Sequence, residues 1–239
     1  MDQFKKILLI QFRTDQSLNH EQDCFEEELL GRRVELSFVN AAREELDISY
    51  LADIDGVILG GSGEFYLTKG HGKGEWREKI FNYLDYLLGA NLPVLGVCLG
   101  SQLIALHQGG ELTDSQEFHE VGSSTITLTK NKERCDLFSD LKQSFEVTLA
   151  HQDTIVNPPE HFLQLASTEK VDWQAFKLED EKVWGTLFHP ELTRARLRYR
   201  LELYPSYSDD VEADLQNFAD TSYSTKILHN FIDILSSHK

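Results

Sequence analysis

Between residues 5 and 110, short apolar runs alternate with longer amphipathic ones, and this alternation leaves few architectures open. "KKILLIQF" (5–12), "RVELSFVNA" (33–41), "DGVILGG" (55–61) and "LPVLGVC" (92–98) are strand-like, apolar and bounded by turn formers. "NHEQDCFEEELLG" (19–31) reads as a helix with Asn19 as cap and Gly31 as stop. "GEWREKIFNYLDYLLGAN" (74–91) reads as an amphipathic helix, because Trp76, Ile80, Tyr83, Leu84, Leu87 and Leu88 recur at helical spacing. A third helix follows Cys98 and ends at Gly109-Gly110. Strands separated by helices predict an α/β fold: an open, mostly parallel sheet with helices on both faces. Chemistry in such sheets gathers at the carboxyl ends of the strands, where Cys98 and Gly60-Gly61 fall.

From about 111 to 191 the rhythm changes. "SSTITLTK", "SFEVTLAHQ", "FLQLAS", "DWQAFKLED" and "KVWGTLFHPE" are strand-like runs with short polar connections, which predicts an antiparallel β elaboration. No linker divides the 239 residues, so one domain is expected over 1–239, with 193–239 as a C-terminal extension packed on it. Residues 204–224 are polar and acidic and predict loops and a short helix. In 225–235, Ile227, Leu228, Phe231, Ile232 and Leu235 share one side, which predicts packing on the sheet.

The chain carries 23 basic and 40 acidic residues, a net charge of −17. That field repels phosphate backbones, so no nucleic-acid partner is expected, whereas a basic protein partner would be attracted. No run has the length of a membrane span, no membrane partner is expected, and the cytoplasm is the expected location. Cys24, Cys98 and Cys135 are odd in number and widely spaced, which supports neither a disulfide framework nor a zinc site. No ligand cluster or nucleotide loop is present in the sequence, and neither metal nor cofactor is expected.

Within "GVCLGSQ" (96–102), Gly96-Val97-Cys98-Leu99-Gly100 is the cysteine form of the Gly-x-nucleophile-x-Gly elbow. Such a turn projects the thiol from the sheet and sets it at a helix N-terminus, where the dipole favours thiolate. A thiolate needs a base, and the base needs an orienting group. "WGTLFHPE" supplies His189 and Glu191. In an extended chain their side chains share a side, and Pro190 favours such a backbone. For an oxyanion hole, Leu99 offers the N–H after the nucleophile, and Gly61 is the expected second donor. The glycine-rich stretch 60–74 reads as a mobile loop beside the site, with His71 exposed on it.

Together "GVILGG", "PVLGVCLGSQ", "EVGSSTITLT", "AHQDTIV", "QAFKLED" and "VWGTLFHPE" resemble the class I, triad-type glutamine amidotransferases. The pattern is nearest to the amidotransferase domain of GMP synthase and its stand-alone relatives, and covers roughly residues 50–192. The resemblance implies a flavodoxin-like sheet and a γ-glutamyl thioester on Cys98, with His189 protonating departing ammonia. It also implies that Gln102, Gln152 and Asp153 contact the amino-acid portion of glutamine. Ser101 stands where histidine is common, Gly61-Ser62-Gly63 replaces Gly-Gly-Pro, and Gln152 replaces a common glycine. Three readings stay open: a glutaminase serving a synthetase partner, a hydrolase of other γ-glutamyl amides, and a non-enzymatic regulatory relative.

Overall fold

The computed structural model describes residues 4–236. Its main sheet has nine strands in the order β2-β1-β3-β4-β11-β10-β9-β6-β7. Five are parallel: β2 (Val34–Asn40), β1 (Lys5–Gln11), β3 (Gly56–Leu59), β4 (Val94–Val97) and β11 (Val183–Thr186). The other four continue antiparallel: β10 (Ala175–Leu178), β9 (Phe162–Ser167), β6 (Glu120–Leu128) and β7 (Ser144–His151). A separate ribbon pairs β5 (Glu111–Thr113) with β8 (Thr154–Asn157). The fold is the expected α/β sheet with its antiparallel elaboration.

Both faces of the parallel half are covered, so its strands are apolar on both sides. Ile7, Leu9, Ile58, Leu95 and Val97 point into one layer, shared with Phe25 and Leu29 and with α6 (Lys226–Ser236) through Ile227, Phe231 and Leu235. The alternate residues Leu8, Ile10, Val57, Leu59 and Val94 point into the other. That second layer is closed by α2 (Trp76–Gly89) and by Leu99, Leu103 and Ile104 of α3 (Leu99–His107).

The first helix, α1, spans Ser17–Glu28 rather than beginning after Asn19. Asp15 accepts from both the backbone and the hydroxyl of Ser17, which starts the helix earlier than the Asn19 signal suggests. Gly31 takes φ 84° just beyond its end. The C-terminal extension holds α4 (Arg194–Leu203), a 3₁₀ turn over Pro205–Tyr207 and α5 (Val211–Gln216) before α6. Leu197, Leu201 and Leu215 join Cys24 and Leu192 in a small cluster that fastens this segment beside α1. No described helix is long and apolar enough to cross a membrane.

Candidate active site

The strands β4 and β11 are hydrogen-bonded neighbours, with Thr186 opposite Val97, so the segments leaving them begin side by side. Cys98 is the first residue beyond β4. It is 4% exposed and holds φ 49°, a left-handed conformation that few side-chain-bearing residues adopt. Its N–H donates to Thr186 O at 2.8 Å, which ties the elbow to β11. The two glycines are required by close packing. A Cβ on Gly100 would stand 2.2 Å from Leu59 O, and one on Gly96 would stand 2.7 Å from the Gly100 carbonyl carbon. The chain therefore turns directly from β4 into α3, leaving the thiol at the helix N-terminus.

His189 follows β11 by three residues and is anchored through its N–H to Thr148 O at 2.9 Å. Its Nδ1 lies 2.7 Å from Glu191 Oε1, and both side chains are buried. The pair forms by a turn and not by the extended chain expected from the sequence. Leu192 N–H donates to His189 O, folding Pro190-Glu191 back on the ring. A methyl placed on Gly61 would lie 3.2 Å from His189 Cε1 and 3.5 Å from Cys98 Cβ, so ring and thiol-bearing carbon flank one point. Burial opposes charge on the ring, but Glu191 and the Cys98 sulfur outweigh it and push His189 up to about 10. Burial likewise opposes charge on Glu191, yet His189 holds that carboxyl below its ordinary range.

The other sequence-expected residues meet mixed outcomes. Leu99, expected from the sequence as an oxyanion donor, is the first residue of α3, directly after Cys98. The Gly61 N–H instead donates to Glu21 Oε1 at 3.0 Å, so in this conformation a buried carboxylate takes the donor assigned to an oxyanion. Gln102 Nε2 donates to Asp153 O at 2.8 Å, and the Asp153 carboxylate accepts from the N–H and hydroxyl of Thr68. Gln152 Nε2 donates to Ser206 O at 2.7 Å. All three side chains are thus engaged within the chain. His71 is only half exposed, its Nδ1 accepting from Tyr66 N–H. Cys24 and Cys135 are buried, and burial pushes the Cys24 thiol up to about 12, leaving it inert beside Cys98.

Residues that the sequence did not single out complete the site. Arg13, beyond β1, and Glu21, on α1, form a buried ion pair at 3.0 Å. Tyr204 and Tyr207 descend from the C-terminal extension. Tyr204 Oη donates to Asp15 at 2.7 Å, and Tyr207 stacks on Tyr66 of the glycine-rich loop with centroids 6.0 Å apart. With Arg13, Arg200 and His189 these rings line an open-sided cavity of about 20 Å³, room for roughly one water.

A cysteine on a strand-to-helix elbow, beside a histidine–glutamate pair at the end of the adjoining parallel strand, sets this chain among the α/β proteins that carry such an arrangement at their strand ends. The chain belongs to the class I glutamine amidotransferase family, whose model matches residues 24–201. It is 36% identical over 137 residues to a glutamine-hydrolysing GMP synthase subunit of Methanosphaera stadtmanae, covering 57% of this chain and 65% of that protein, just under two thirds. It is 32% identical over 155 residues to the corresponding protein of Methanocaldococcus jannaschii, covering 65% and 73%. A solved glutamine amidotransferase of Thermotoga maritima superposes with TM-score 0.77 at 20% identity, covering 98% and 99%, which establishes the shared fold.

Proposed function

We propose that this chain hydrolyses γ-glutamyl amides, glutamine first among them, through a thioester on Cys98. The observation that supports it best is the buried His189–Glu191 pair beside the elbow cysteine. Cys98 attacks the amide carbonyl as thiolate, forming the C–S bond, and the Leu99 N–H donates to the developing oxyanion. On collapse the C–N bond breaks and His189 delivers its Nε2 proton to the departing nitrogen, while Glu191 holds Nδ1. Water then attacks the thioester, His189 accepts its proton, and glutamate leaves as the thiolate is restored. The relatives are glutamine-hydrolysing subunits of GMP synthase, so ammonia released here is proposed to pass to a partner synthetase.

Glutamate release from glutamine, measured with and without a partner synthetase, tests this reading. Cys98→Ala should lower turnover by roughly 10⁴-fold or more, because members of such a trio act as a unit. Cys24→Ala should leave it unchanged. Absence of both turnover and a Cys98 acyl adduct, with every γ-glutamyl amide tried, would sink the proposal. A second reading keeps this chemistry but assigns larger γ-glutamyl amides as substrates. It is favoured by the charge on the leaving-group side of the site.

A further inference from the structure

Four arginines of α4 meet different fates. Arg196 pairs with Glu27 and Glu28, Arg198 pairs with Glu212, and Arg194 donates to Leu215 O. Arg200 is the one turned inward, 5% exposed, and no carboxylate among the described residues lies within ion-pair distance of it. Its Nε donates to His20 Nδ1 at 2.7 Å. Burial and the neighbouring arginines hold His20 down to about 4, so this partner is neutral. Its Nη2 is buried with no hydrogen-bond partner. Glu21 and Glu191 act on Arg200 only from beyond contact. A chain with 40 acidic residues has no shortage of counter-ions, yet this guanidinium lacks one. A buried charge in that condition is costly unless something else completes it.

The position of this guanidinium decides what completes it. Arg200 and Arg13 line the same small cavity as His189. The Arg13 Nη2 would stand 3.4 Å from a methyl on Gly61, beside the reacting centre. In the mechanism proposed above His189 protonates the departing nitrogen, which would set the leaving group on this side. Arg13 is already paired with Glu21, so the uncompensated charge is that of Arg200, and a guanidinium in that state repels an ammonium but accepts a carboxylate.

We propose that Arg200, seconded by Arg13, binds a carboxylate on the leaving group, so that the preferred substrates are γ-glutamyl amino acids or peptides. This rests on the γ-glutamyl hydrolase reading of Cys98. Tyr204 and Tyr207 line the same open-sided cavity, where the larger group would be admitted. The bond chemistry is unchanged: water and the amide give glutamate and a free amino acid.

The test compares kcat/KM for γ-glutamylglycine and its neutral isostere γ-glutamylglycinamide, with γ-glutamyl-p-nitroanilide as a reporter of the thioester chemistry. The wild type should favour the acid by about tenfold or more, the scale of a hydrogen bond to a charged group. Arg200→Met should bring the ratio near one, and Arg200→Lys should retain part of it. A wild-type ratio near one overturns the proposal without any variant being needed. So does a loss in Arg200→Met that is equal for both substrates, since that places the guanidinium on the shared glutamyl end. Failure of all three substrates, the anilide included, would overturn the hydrolase reading itself.

Discussion

The imidazole of His189 lies against the Glu191 carboxylate in a buried site, and its proton is bound more tightly than in a free histidine. Its folded value of about 10 lies above the unfolded 6.5, so its contribution to stability is complete below about 6.5 and is lost as pH rises toward 10. Urea unfolding of the wild type should therefore show stability falling across that window, relative to His189→Gln. Parallel pH profiles for the two proteins would remove the charged ring from the resting site. The roles of Arg13, Glu21 and Arg200 are not legible in the sequence, for a physical reason. A buried charged residue is written with the same letter as a solvated one, and only the fold distinguishes them. The elbow at Cys98 is legible because its flanking glycines record backbone geometry directly, whereas Pro190 points to an extended chain where a turn forms.

At the scale of elements, the junction of β4 with α3 depends on contact between backbones. Gly100 presses against the last carbonyl of β3, which accepts no side chain, whereas Gly89 at the end of α2 has nothing within 4 Å of a would-be Cβ. Gly100→Ala should cost about 3 kcal/mol in denaturant titrations, an overpacking penalty. Gly89→Ala should be neutral or stabilising by up to about 1 kcal/mol. Equal effects would contradict the close approach of β3 to the elbow. The parallel strands and α2 can be read from period alone. The helix α4 cannot, because arginines interrupt its apolar positions, leaving Leu197 and Leu201 as its buried leucines. Nor does anything local link Tyr204 to Ser17, whose side chains meet at 2.7 Å across 187 residues of chain.

Across the whole molecule, the last helix acts as a structural wall. Phe231 and Leu235 of α6 rest on Gly56 of β3, within 3.2 Å of where a Cβ would be, and so brace the strand that leads to Gly60-Gly61. Phe231→Ala should destabilise the protein by about 3–5 kcal/mol. Below its melting transition, kcat should stay near wild type. A large loss of kcat with the fold intact would show that α6 tunes the site as well as supporting it. The antiparallel strands extend the sheet past β11 and deliver Thr148, whose carbonyl anchors His189. At 4% exposure the Cys98 sulfur offers little of itself to solvent, so in the resting protein peroxide or iodoacetamide should modify it far more slowly than a thiol on the surface.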